Sequence, residues 1–316
     1  MIYNDTMMLY YKAKCKAKRE YIKHYGTDKY YSVERKYAGR KVLTAEKTSE
    51  TLERLVLSNE PIFCGRFGAN EMNALAVFDL GIRSKYEKTA HEMCNGAGFF
   101  PNDYAQLKEF SGIMKDSIGL LDYLAVWNLP MEEYYVKKYS RQNLATSRLR
   151  YFEPWYSENP WTKSLEGKRV LVIHPFTDTI KSQYSKRKYI FDNPNLLPEF
   201  ELFTVKAVQT IAGTKDSRFS SWFDALEYMF DEAMKIDFDA ALIGCGAYGF
   251  PLAAKLKKSG KKAIHMGGVL QVLFGIEGAR WDNDTVVSSL YNDYWVRPSD
   301  SEKPKNFGAV ESGCYW

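Results

Sequence analysis

The sequence predicts an α/β protein: a Rossmann-like, mostly parallel sheet with helices on both faces, plus a basic helical arm at the amino terminus. Three observations carry that expectation. Short apolar runs alternate with helical patterns, the signature of strand–helix–strand units that build a parallel sheet. Several of those runs break into glycine-rich turns. Two such units follow one another directly in ALIGCGAYGFPLAAKLKKSGKKAIHMGGVLQVLFGIEGARW, residues 241–281. In open α/β sheets such turns aim backbone N–H groups into a crevice outside the carboxyl ends of the strands, where ligands bind.

At 316 residues, 45% hydrophobic and 26% charged, the chain has ample material for one large domain or two modest ones. One continuous nucleotide-binding domain and two halves facing a cleft both fit the pattern.

Residues 1–44 read as a basic helical arm. The run KAKCKAKREYIKHY within it concentrates charge, although the whole chain carries a net charge of only +5. Such an arm is either a solvated helix or a surface for an anionic membrane or polyphosphate. Residues 45–282 read as the α/β body and 283–316 as a tail that wraps over it. Within the domain, Leu52, Leu55 and Val56 mark a helix over 44–58, ahead of a strand at 61–64. The turn GRFGANE then opens a helix that stops at Gly81. Residues 95–101 read as a loop, 103–117 as an amphipathic helix and 121–127 as a strand. The aromatic, proline-containing segment 139–161 reads as a connector or acceptor-side loop between two halves. Strands follow at 168–174 and 200–208, and Trp222, Ala225, Leu226 and Met229 line the apolar face of a helix over 222–236.

The five cysteines show neither paired nor metal-type spacing, which reads as reduced thiols of a cytoplasmic protein. No run reaches the roughly 18 apolar residues of a membrane span, so the expectation is a soluble protein with peripheral contact at the inner face of the membrane through the arm. Basic residues gather only in the arm and in KSQYSKRK (181–188), which argues against nucleic-acid binding.

Gly244, Gly246 and Gly249 match G-x-G-x-x-G after a strand and before a helix. A dinucleotide site also wants an acid about 20 positions on, to hold the ribose. After Asp239 the next acid is Glu277, so these glycines, with Tyr248 between them, read instead as a phosphate or sugar cradle. His265, Gly267, Gly268 and Gln271 form the second turn, and Arg280 beside Trp281 suits a diphosphate with a stacked group. His174 and Asp178 lie past one strand end, and Gly65, Arg66, Phe67, Gly68 and Glu71 past another. Each has an ordinary reading too: His265 as a core histidine, Arg280 in a surface ion pair, Glu71 as a favourable charge at a helix start. No P-loop, zinc-protease or nucleophile-elbow motif is present.

GRFGANE at 65–71, CGAYGFPLA at 245–253 and IHMGGVLQVLFGIEGARW at 264–281 together resemble the GT-D-type glycosyltransferases of bacterial surface-polysaccharide and glycan assembly. The resemblance spans about 45–282. It implies a nucleotide-sugar donor, usually a UDP-sugar, and transfer to a growing or lipid-linked glycan. It also implies an Asp-x-Glu motif holding Mn2+ or Mg2+. Here Glu71 keeps the second acid, but Ala69 stands where the Asp would be. Either another acid such as Asp178 completes a metal site, or Arg66 and Arg280 replace the cation. Glu71 and Asp178 are the candidates for general base. The alternative expectation is a non-catalytic nucleotide-sugar-binding module of a polysaccharide assembly system.

Overall fold

The computed structural model describes residues 2–26, 36–214, 216–304, 306, 308 and 313–316, with the side chains of residues 2 and 3 left aside. Residues 27–35 of the expected arm, and residues 305, 307 and 309–312 of the expected tail, lie outside the described residues.

Nine strands form one sheet in the order β1-β2-β5-β4-β3-β9-β8-β6-β7. They are β1 (Lys36–Tyr37), β2 (Arg40–Leu43), β3 (Phe63–Gly65), β4 (Tyr123–Val126), β5 (Ala145–Arg148), β6 (Arg169–His174), β7 (Glu201–Lys206), β8 (Ala240–Ile243) and β9 (Ala263–His265). Only β1 runs antiparallel to its neighbour; the other pairings are parallel. The fold is therefore the expected Rossmann-like α/β class. The two expected halves share this one sheet, with β3 paired directly to β9.

The central strands are covered on both faces, and their side chains divide strictly by parity. On β6, Leu171 and Ile173 enter one apolar cluster while Val170 and Val172 enter the other. On β8, Ala241 and Ile243 face the first cluster, Ala240 and Leu242 the second. Burial on both sides explains why these strands read as continuous apolar runs.

Helices α2 (Ala45–Leu57), α3 (Ala69–Asp79), α4 (Tyr86–Ala97), α5 (Tyr104–Ile118), α6 (Glu132–Tyr139), α7 (Thr177–Tyr184), α8 (Trp222–Met234) and α9 (Gly249–Lys258) connect the strands, with short α10 (Leu270–Leu273) and α11 (Thr285–Ser288) following β9. Thr44, Asp103 and Ser221 cap α2, α5 and α8, and Ser221 forms a reciprocal capping box with Asp224.

The expected boundary at residue 44 runs through the sheet edge, because β1 and β2 belong to it and β2 pairs with β5. Ahead of them, α1 (Ile2–Tyr25) packs on the body: Met8 is buried, Asn4 donates to the Leu80 carbonyl at the end of α3, and Lys14 pairs with Glu133 at 2.6 Å. Three elements go beyond the sequence reading. The expected loop at 95–101 begins inside α4, which runs to Ala97; α6 forms in a stretch left unassigned, and β5 in the segment read as a connector or loop. Strand β5 is polar (ATSR) yet interior, since Thr146 donates to the Lys41 carbonyl at 3.2 Å and Ser147 meets the Tyr123 hydroxyl.

Candidate functional site

Register sets the floor of the site. Gly65 pairs with His265, His265 with Ile243, and Ile243 with Ile173, so three strands end on one level and β6 one residue beyond it. The next residues, Arg66, Met266 and Gly244, leave the sheet beside His174, which ends β6 still paired with Lys206 of β7. Above them opens a cleft of about 1070 Å³, counted out to its open mouth, at the carboxyl edge of β3, β4, β6, β7, β8 and β9.

Arg66 is the central cation. Its guanidinium lies over the Trp127 ring, 4.3 Å from the centroid, and its Nε–H is buried without an acceptor among the described residues. Burial holds its pKa below the usual guanidinium range, with Arg280 adding to the effect and Tyr315, Glu71 and Glu153 opposing it. Gly267 is required beside it: φ is +71°, and a Cβ there would stand 2.8 Å from an Arg66 terminal nitrogen.

Glu71 is the only carboxylate among the described residues that line the cleft. It occupies the third position of α3 and folds back over the N-cap residue Gly68, where a Cβ would meet its carboxylate oxygen at 1.9 Å. Glycine at 68 thus makes room for the acid. Burial pushes the carboxyl upward, while a hydrogen bond from its own backbone N–H and the charge of Arg66 pull the other way.

His174 is fixed as a neutral donor. Its Nδ1 accepts from the Phe176 N–H at 3.0 Å, which leaves the proton on Nε2, and burial pushes its pKa down to about 3. His265 is also held neutral, at about 3, by burial and then by Arg66. Its ring lies against Gly249, where a Cβ would approach it to 2.3 Å, and its Nδ1 has no partner among the described residues.

No family model, curated protein or solved structure matches this chain.

The cleft brings together Arg66, Gly68, Glu71, His174, Gly244 and Gly246, and with them Tyr248, His265, Gly267, Gly268, Gln271 and Arg280. Some of these act mainly as struts. The Tyr248 ring stacks on Trp222 at 5.0 Å, and its hydroxyl meets Thr210 at 3.0 Å. Gln271 donates to the Glu277 and Tyr315 carbonyls at 2.9 and 3.1 Å, tying the tail to the second turn.

Five expected residues stand elsewhere. Asp178 is exposed and does not line the cleft; β6 has already turned away at His174–Phe176, and the start of α7 is held by Glu302, which accepts from the Asp178 N–H at 2.8 Å. Phe67 is buried against Phe250 at 4.6 Å, and Gly65 ends β3 beneath His265. Gly249 is occupied by its packing on His265. Trp281 turns into the second apolar cluster, 6.0 Å from Tyr315, while Arg280 keeps to the cleft.

Sequence reading missed Trp127, Thr210, Tyr315 and Trp316, all of which line the cleft. Trp127 carried a signal, because it is the first residue beyond the apolar run of β4. Tyr315 carried none: its ring covers Gly268, and the Arg280 guanidinium lies 4.7 Å from its centroid.

One carboxylate lines the cleft, Asp178 is outside it, and no group of three His, Cys, Asp or Glu that would hold a metal occurs among the described residues. An oxygen-ligand site for Mg2+ or Mn2+ usually draws on more carboxylate than one acid beside a guanidinium.

Proposed function

We propose that the cleft binds a nucleotide-sugar, with a UDP-sugar as the first candidate, and that the protein is a glycosyltransferase. The observation that carries this reading is Arg66: a cation at the end of a central strand, stacked on Trp127, with a buried N–H lacking an acceptor. A diphosphate supplies both the charge and the acceptor. Arg280 lines the same cleft, and His174 adds a neutral Nε2–H donor.

In this reading the acceptor hydroxyl attacks the anomeric carbon. A new C–O bond forms to the acceptor oxygen as the bond from carbon to the diphosphate oxygen breaks. Arg66 and Arg280 bear the negative charge gathering on the leaving diphosphate, in a site partly shielded from water. Glu71 takes the hydroxyl proton. Burial has raised its carboxyl toward neutrality, which makes it a stronger base than a solvated glutamate. Tyr315 and Trp127 offer rings against which a base or sugar face stacks.

A second reading, a nucleotide-sugar-binding module without turnover, draws support from Ala69 and from the single acid in the cleft. Release of UDP from a panel of UDP-sugars, measured with acceptor extract and with or without EDTA, separates the two. Turnover supports the transferase; UDP binding without turnover of any donor supports the module.

A further inference from the structure

Beyond β4 the chain makes a tight turn, Trp127-Asn128-Leu129-Pro130-Met131, before α6 begins. Asn128 and Met131 have φ of +58° and +69°, left-handed values that a residue with a Cβ keeps only where its surroundings hold it. Left-handed Asn128 turns the N–H groups on either side of it toward one point, the kind of concavity in which backbone amides bind an anion. The Glu132 carboxylate fills it. One oxygen, Oε1, accepts from the Trp127 N–H at 3.1 Å, and Oε2 accepts from the Leu129 N–H at 2.7 Å. Lys18 of α1 meets the Asn128 side chain from the other side.

Glu132 is fully buried, so both of its oxygens are out of water. Burial pushes its pKa up to about 7, against the pull of the Leu129 and Trp127 N–H groups, of Lys18 and of the Tyr37 hydroxyl on β1. An apolar side chain would avoid the cost of burying an acid but leave two amide N–H groups buried without an acceptor. Glu132 does not line the cleft, and its reach into it runs through Trp127. That residue follows Val126, the last position at which β4 pairs with β5, so the sheet no longer fixes its backbone and the carboxylate does. The Trp127 ring in turn carries the Arg66 guanidinium.

We propose that Glu132 is a positioning residue of the cleft: by holding the turn after β4 it sets the Trp127 ring, and through that ring the direction of the Arg66 guanidinium. It acts at two removes from a ligand, so its substitution leaves the ring and the cation present and changes their alignment. The consequence for ligand binding rests on the nucleotide-sugar reading; the consequence for the ring does not.

The test combines magnetic resonance of the full chain, isotopically labelled at its tryptophan indoles, with calorimetric titration of UDP. The Trp127 indole signal is identified by its loss in Trp127→Phe. Glu132→Gln keeps the shape of the side chain but faces one of the two N–H groups with an amide NH2. Lys257→Gln is the control for lost stability, because it breaks the buried Lys257–Asp122 pair at the amino edge of the sheet, away from the cleft. Glu132→Gln should move the Trp127 signal, and Lys257→Gln should leave it in place. Glu132→Gln should also weaken UDP binding by about threefold to tenfold, the range expected for Trp127→Ala. In a Trp127→Ala background it should add no further loss, since both act through one contact. Should Glu132→Gln not fold, Glu132→Asp, which keeps the charge on a shorter arm, takes its place. An unmoved Trp127 signal, a further loss of UDP affinity in the double variant, an equal loss in Lys257→Gln, or a moved signal with parental UDP affinity would overturn the proposal. If the parent binds no UDP, the nucleotide-sugar reading falls, and the Trp127 signal alone decides whether Glu132 sets the ring.

Discussion

The guanidinium of Arg66 stacks on the indole of Trp127 at 4.3 Å, joining the end of β3 to the end of β4. Stacking orients the cation without neutralising it, so its hydrogen-bonding edge stays available to a ligand. Replacing Arg66 with Ala is expected to weaken UDP binding by about tenfold to a hundredfold, the loss of one or two charge-assisted hydrogen bonds. Trp127→Ala should cost less, about threefold to tenfold, because only the orientation and the cation–π term go. Calorimetric titration of both variants checks the order; a larger loss in Trp127→Ala would reverse the roles.

Glu71 and Asp178 entered as equal candidates for the base, and only Glu71 faces the cleft. Glu71→Gln should lower kcat by a factor of about a hundred or more with KM for the donor little changed, since a general base contributes to the transition state. Asp178→Asn should leave both constants unchanged. Steady-state kinetics of the pair decides the assignment.

Gly249 is held against the His265 ring, where a Cβ would approach to 2.3 Å. Gly249→Ala is expected to destabilise the protein by about 2 kcal/mol, because the strand below and the helix above cannot both yield. Gly112, within α5, has nothing within 4 Å of a Cβ. Gly112→Ala should stabilise by about 0.5 kcal/mol through helix propensity alone. Urea midpoints measure both, and opposite signs are the expected result.

His174 and His265 are buried neutral, each with its pKa pushed from 6.5 down to about 3. Between those values the unfolded chain binds the protons and the folded one does not. Their contribution to stability is therefore complete above pH 6.5 and declines as pH falls toward 3, by about 1.4 kcal/mol per pH unit for each imidazole. Urea denaturation between pH 7 and pH 4 should show that decline. His174→Gln should flatten it, and an unchanged slope would contradict the burial account.

The central strands were legible because burial on both faces leaves an uninterrupted apolar run, as in LVI of β6 and ALI of β8. The cleft floor was legible for the same reason: strand ends in a parallel sheet converge, so Arg66, His174 and Gly244 were placed by where apolar runs stop. What escaped depended on distant partners. Strand β5 is polar, and its buried Thr146 and Ser147 hydroxyls meet Lys41 and Tyr123, far away in sequence. Glu132, a charged residue at the start of α6, is fully buried because it accepts from the Trp127 and Leu129 N–H groups at 3.1 and 2.7 Å. Tyr315 reaches the cleft because its carbonyl accepts from Gln271 and the preceding Cys314 carbonyl accepts from the Arg280 N–H, which no local pattern announces. Asp178 was misplaced because a strand end shows where the chain leaves the sheet, not which way each following side chain turns.

The central claim is that this cleft holds a nucleotide-sugar through Arg66. Calorimetric titration of UDP into the parent and into Arg66→Ala, at one salt concentration and without added metal, tests it most directly. Saturable one-site binding in the parent that weakens at least about tenfold in Arg66→Ala, with the fold intact, is the predicted result. Equal affinity in the two proteins, or no UDP binding by the parent, would contradict it.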